Sequence, residues 1–404
     1  MQIFRTIVAF VVLLVPTFAS AQPSVKPGAD VLVEKRLDLV RGKRVGLVTN
    51  HTGRLISGEF VTDALLLRKV SVTALFGPEH GIRGGAEAGE KVIDSIDRKS
   101  GIPVYSLYGK ISKPTPGMLQ NVDVLVYDIQ DVGARFYTYL STMTLAMEAA
   151  AEKGIPFVVL DRPDPLGGIL VDGPVLADSL RSFVGMHQIP VVYGLTCGEL
   201  ASMINGEGWL KGRVKADLIV VPMEGWHRSM RWNDTGLLWL APSPNIPRFE
   251  TALVYPATCF LEGTNLSEGR GTNNPFCLFG APFVDSVKLT DELTSLKLPG
   301  VRFSPSVFTP SSSKFEGREC RGTTIKLTDP ASYRPLLLGL NLFQELLKLY
   351  PTEMTFRMAW FNKLMGHADV ISRLRRGESP GSILASWQPE IDQFRASSKK
   401  YWLY

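Results

Sequence analysis

The run Val122-Asp123-Val124-Leu125-Val126-Tyr127-Asp128-Ile129-Gln130-Asp131 is apolar through most of its first half and ionisable through its second. Val122 to Val126 has the length and character of a buried strand. Tyr137 to Lys153 follows, with Leu140, Met143, Met147 and Ala150 at helical spacing and Gly154 as the stop. A second apolar run, Ile155 to Leu160, completes a strand–helix–strand unit. Working outward, Val45 to Val48, Val72 to Phe76 and Val104 to Leu107 read as further strands, and Glu59 to Lys69 as a helix. Strands that are apolar on both faces belong to a parallel sheet covered on both sides. The fold class is therefore α/β, a doubly wound parallel sheet.

Towards the C-terminus the period changes. Residues Ala241 to Pro282 carry repeated Pro and Gly with no sustained period, which predicts a long binding or catalytic loop. Beyond it come a helix at Val287 to Leu296, strands at Val301 to Phe308 and Thr323 to Leu327, and a helix at Tyr333 to Tyr350. Helices near Asp369 to Arg376 and Pro380 to Arg395 close the chain. The expected division is a catalytic α/β domain over 22–284 and a smaller α+β domain over 285–404.

With 404 residues, 45% apolar and 21% charged, the chain is too long and too apolar for a disordered segment or a small disulfide-stapled fold. A net charge of +5, spread without a polybasic block, indicates neither nucleic acid nor an anionic membrane as partner. Arg5, the apolar run Ile7 to Val15 and the small residues Ala19-Ser20-Ala21 have the order of a secretory signal, with cleavage expected after Ala21. The mature chain is expected to be periplasmic or secreted, with no membrane association. Cys197, Cys259, Cys277 and Cys320 are compatible with buried thiols or with a structural disulfide, and their spacing argues against zinc.

Ligands of an open parallel sheet bind where the strands end. Here the exits carry Asn50 and His51; Glu79, His80 and Arg83; Asp128, Gln130, Asp131 and Arg135; and Asp161 and Arg162. There is no Walker loop, no Gly-x-Gly-x-x-Gly after the first strand and no His-Glu-x-x-His, so no nucleotide, cofactor or metal is expected. Asn265-Leu266-Ser267-Glu268-Gly269 lacks the first glycine of a nucleophile elbow, which leaves little basis for a serine esterase. Carboxylates remain, and they are the groups that break an acetal: one protonates the leaving oxygen and another supports the cation-like sugar or activates water.

Glu79 is the expected acid, because a position between a buried strand and a Gly-rich turn would raise its pKa. Asp128 and Asp131 are candidates for the second role, and Glu262 and Glu268 for reaching across a cleft from the long loop. Arg83, Arg135 and Arg270 offer planar forks for a substrate carboxylate. Trp209, Trp226, Trp232 and Trp239 form either an aromatic core or the wall of a sugar pocket.

Three runs carry a resemblance to a known family: Gly46 to Gly53, Leu75 to Gly84 with its Gly-Pro-Glu-His-Gly motif, and Val126 to Tyr139. Leu160-Asp161-Arg162-Pro163-Asp164-Pro165, Pro242-Ser243-Pro244-Asn245-Ile246-Pro247 and Glu262 to Gly271 extend it over nearly the whole mature chain. The sequence resembles the exo-β-N-acetylmuramidases of the NamZ family, formerly DUF1343. The resemblance implies a Rossmann-like domain joined to a smaller one with the active site between them. It also implies release of β-linked N-acetylmuramic acid from the non-reducing end of peptidoglycan fragments, with Glu79 as the leading catalytic residue. His80 is grouped with it by the motif, and Asn50, His51, Gln130, Asp161, Arg162, Asn245, Asn265 and Arg270 are expected around the substrate. A periplasmic binding protein that captures muropeptide sugars without cleaving them is the alternative, since two lobes around a cleft also suit hinge closure.

Overall fold

The computed structural model describes residues 25–82 and 94–404; the expected signal segment and Arg83 lie outside them. The larger sheet contains β1 (Arg44–Thr49), β2 (Ser71–Gly77), β3 (Ser95–Ile96), β4 (Pro103–Ser106), β5 (Val124–Asp128), β6 (Phe157–Leu160) and β7 (Leu218–Val221). Their order is β3-β4-β2-β1-β5-β6-β7. Neighbours from β4 to β7 are parallel and the short edge strand β3 is antiparallel to β4. The chain moves from β1 to one side and returns to β5 on the other, so the topological switch point lies between β1 and β5.

Side-chain alternation explains why this sheet is covered twice. Val124 and Val126 of β5 join one apolar cluster, with α1 (Gly28–Lys35) and α2 (Val61–Leu67). Leu125 and Tyr127 join the other, with α3 (Tyr139–Lys153) and α4 (Cys197–Gly206). Gly154 ends α3 in the left-handed conformation at φ 73°, as its sequence position predicts. The helix α4 is missing from the sequence reading although Thr196 and Glu199 spell a capping box. Thr196 Oγ1 accepts from Glu199 N at 3.2 Å, and Glu199 Oε2 accepts from Thr196 N at 3.1 Å.

The stretch Ala241 to Pro282 is not structureless. It holds α5 (Phe249–Thr258) and β8 (Leu278–Ala281). Nearly every residue of α5 is buried, so no polar face exists to produce a period, and Pro256 sits inside the helix. β8 pairs with β10 (Cys320–Leu327), which pairs with β9 (Val301–Phe308), in an antiparallel sheet of order β8-β10-β9. Around it lie α6 (Ser286–Ser295), α7 (Pro335–Leu349), α8 (Met358–Met365), α9 (Val370–Arg375) and α10 (Pro380–Ser398). The apolar cluster on the α3 face of the large sheet continues through α5 and α7 to α10, so both parts of the molecule share one core. All four cysteines are buried free thiols, which removes the disulfide alternative.

Candidate active site

The strand β2 is buried to its end and delivers Pro78-Glu79-His80-Gly81 to the carboxyl edge of the sheet. Gly81 N donates to Pro78 O at 2.9 Å, closing a turn. His80 occupies it at φ 71°, a left-handed conformation normally left to glycine. Such strain costs on the order of 1–3 kcal/mol and persists where surrounding structure enforces it, often at functional sites. The turn presents Glu79, half-buried, to the start of α3, where Thr138 Oγ1 donates to Glu79 Oε2 at 2.7 Å. The Tyr108 hydroxyl also hydrogen-bonds Glu79; burial, reinforced by the Glu79 charge, raises its pKa and keeps it a donor.

Glu79 and His80 open into a cleft of about 1120 Å³. The first part of the chain lines it with Tyr108, Thr138 and the buried Asn245, and the second with Glu262, Glu268, Arg270, Lys314, Trp360 and Lys363. Arg270 bridges two of the acids, with Nη2 2.6 Å from Glu262 Oε1 and Nε 3.1 Å from Glu268 Oε1. Burial works to lower the pKa of Arg270, but the two carboxylates outweigh it and raise it. Lys314 Nζ lies 3.0 Å from Glu268 Oε2, and there burial prevails and lowers the pKa.

Most of the other expected site residues do not reach the cleft. Asp128 is fully buried and accepts from Arg162 Nε and Nη2 at 2.6 and 2.9 Å. This ion pair ties the ends of β5 and β6 together. Asp131 accepts from Gly133 N at 2.8 Å and from Tyr193 OH at 2.5 Å, and burial raises its pKa to about 6. Asp161 is likewise raised by burial to about 6, while accepting from Thr196 Oγ1, Gly198 N and Tyr404 OH. Gln130 donates to the carbonyls of Asp131 and Pro163, and Asn50 Oδ1 accepts from Thr52 N and Oγ1. His51 bonds Ala241 O through Nε2 at 2.6 Å, and burial lowers its pKa, which keeps it neutral. Asn265 borders the cleft but spends its amide on the backbone of Glu353 and Thr355.

Arg135 is the clearest correction. It is buried, and its guanidinium donates to Pro174 O, Ile189 O and Leu364 O at 2.8, 3.0 and 2.9 Å. No fork remains for a substrate, because the charge is spent fastening α8 to the first domain. The four tryptophans between 209 and 239 pack elsewhere: Trp232 edge-on against Trp239, Trp226 against Tyr404, and Trp209 on His187. Lys314, Trp360 and Lys363 escaped the sequence reading, since only the packing of distant segments brings them to the cleft; Tyr108 stands at the exit of the strand next to β2 and Thr138 in the run 126–139, but neither was singled out as a site residue.

Comparison with known proteins agrees with this architecture. The family description "Exo-beta-N-acetylmuramidase NamZ, N-terminal" matches residues 45–250, and its C-terminal counterpart matches residues 253–404. The peptidoglycan β-N-acetylmuramidase NamZ of Bacillus subtilis is 47% identical over 385 residues, covering 95% of this chain and 92% of that protein. Two crystal structures of DUF1343 family proteins from Bacteroides fragilis superpose with TM-scores of 0.87 and 0.79, at 41% and 33% identity. Each comparison covers 94% of this chain and 99% of the other. With both domains matched and nearly the full length aligned, the chain belongs to the exo-β-N-acetylmuramidase NamZ family.

Proposed function

We propose that this protein is an exo-acting glycoside hydrolase that releases β-linked N-acetylmuramic acid from the non-reducing end of peptidoglycan fragments. One observation carries the reading of its chemistry: Glu79 is held in the cleft by Thr138 and Tyr108, and the same cleft is bordered by Glu262, Glu268, Arg270, Lys314 and Lys363. In its protonated form Glu79 delivers its proton to the bridging oxygen as the bond from that oxygen to the anomeric carbon breaks; water adds to the carbon, its surplus proton passes to solvent, and Glu79 is reprotonated from solvent. Glu262 and Glu268, the other carboxylates bordering the cleft and each paired to Arg270, are the candidates to support the cation-like sugar or activate water. His80 fixes the turn that aims Glu79. The secretory signal read in residues 1–21 supports cell-wall turnover outside the cytoplasm as the setting.

Incubation of the purified protein with the β-1,4-linked N-acetylmuramic acid–N-acetylglucosamine disaccharide tests the activity, and free N-acetylmuramic acid is the expected product. Glu79→Gln should lower turnover by roughly 100- to 10,000-fold, the range of a lost general acid, with an unchanged melting temperature. Near-normal turnover would remove Glu79 from the mechanism.

A further inference from the structure

The cations lining the cleft differ in what they have left to give. Arg270 is committed to Glu262 and Glu268. Lys314 donates to Leu261 O and Leu266 O at 2.7 and 2.8 Å, and its charge is paired with Glu268, whose Oε2 lies 3.0 Å away. Arg357 gives one of its five N–H donors, on Nη2, to Glu262 O at 2.5 Å, and unlike Lys363 it is exposed at the start of the helix. Lys363 is half-buried and borders the cleft, and its ammonium has no hydrogen bond or ion pair among the described residues.

Its helix is built to aim it. Arg357, Trp360 and Lys363 recur every third residue at and along α8 and all border the cleft. The opposite face is anchored by the fully buried Phe361, which packs against Phe260, Phe343 and Phe356. The end of the helix is pinned to the first domain, where Arg135 Nη2 donates to Leu364 O and Ala177 N to Gly366 O, both at 2.9 Å. Gly366 is needed for that contact: it has φ 81°, and a Cβ there would stand 2.4 Å from Arg135 Nη2. The clamp fixes α8 relative to the strand exits that carry Glu79.

We propose that Lys363 is the specificity-determining residue that receives the lactyl carboxylate of the terminal muramyl sugar, with Trp360 as the platform for the sugar ring. The inference rests on the muramidase reading above. N-acetylmuramic acid differs from N-acetylglucosamine by one lactyl ether, so a site that selects it needs a cation with unspent donors beside an apolar surface. Lys363 and Trp360 provide that pair on one helix face. Rejection of the uncharged analogue follows, because the ammonium would then be covered without a partner.

The test crosses a change in the enzyme with a change in the substrate. The values of kcat/KM are measured on an aryl β-N-acetylmuramide and on its lactyl carboxamide, for the wild type, Lys363→Met and Lys363→Arg. The wild type should prefer the acid by roughly 10- to 100-fold, the scale of one charge-assisted hydrogen bond. Lys363→Met should lose that factor on the acid alone, so that the preference collapses, and Lys363→Arg should retain much of it. Trp360→Ala should impair both substrates alike, and an unaffected Trp360→Ala would take the ring out of the site. If Lys363→Met keeps the preference for the acid, or loses acid and amide equally, Lys363 does not read the carboxylate. A wild type without the preference overturns the inference while leaving the muramidase reading intact. A wild type inert on the acid overturns both.

Discussion

The exits of β2 and β5 share one sheet edge with only β1 between them, and their surroundings are opposite. At β5, Asp128, Asp131 and their neighbour Arg162 are almost wholly covered, and each polar atom used is matched to a close partner. At β2 the turn runs past the covering layer, leaving Glu79 half-buried against an open cleft. A strand exit beside the switch point thus became scaffold, and the carboxylate that meets the cleft comes from one strand further out. What separates them is coverage. The segment 162–199 and Tyr404 close over the ends of β5 and β6, whereas the second domain faces the end of β2 across a gap.

The sharpest way to break this contrast is to remove a charge on each side. Asp128→Asn should cost about 3–5 kcal/mol of stability, because it strands the Arg162 guanidinium in a buried site. The Glu79→Gln variant should melt like the wild type and lack turnover. Parallel thermal melts and assays decide: an Asp128→Asn protein of normal stability and no activity would return Asp128 to the chemistry.

Arg135→Met examines the joint between the two regions. Loss of three carbonyl partners should destabilise by about 2–4 kcal/mol. If α8 is held by this clamp, KM for the muramide should rise more than kcat falls in the folded fraction. An unchanged KM would show that α8 keeps its place without Arg135.

A gentler test uses pH. Burial raises Asp131 from 3.8 to about 6, so between those values the folded state keeps a proton that the unfolded chain has released. The stabilisation from this carboxyl is complete below about pH 4 and is lost as pH rises through 6. Asp131→Asn removes the titration and keeps the acceptor, since Oδ2 takes both hydrogen bonds and Oδ1 has no partner among the described residues. The variant should match the wild type near pH 4 and exceed it by up to roughly 3 kcal/mol near pH 8, at about 1.4 kcal/mol per pKa unit. A difference that does not grow with pH would place the charge of Asp131 elsewhere.

How much was legible differs by region for the same reason. Val301 to Phe308 and the Gly154 stop were readable because local pattern and final environment agree. The helix α5 was not, because burial on all sides erases the period that a sequence can display. The place of Glu79 at the cleft was legible from a strand that ends in Pro-Glu-His-Gly. Arg135 was misread because a guanidinium suits substrate carboxylates and backbone carbonyls equally well.

By itself, the sequence determined the alternation of strands and helices, the parallel sheet and the edge on which polar side chains emerge, since these follow from periodicity and chain connectivity. Only the tertiary structure decided which of those side chains is sealed and which meets a cleft. It alone brought Trp360 and Lys363 opposite a residue nearly three hundred positions earlier. The physical reason is that burial and pairing belong to the space between segments, and no local stretch of chain encodes its own neighbours.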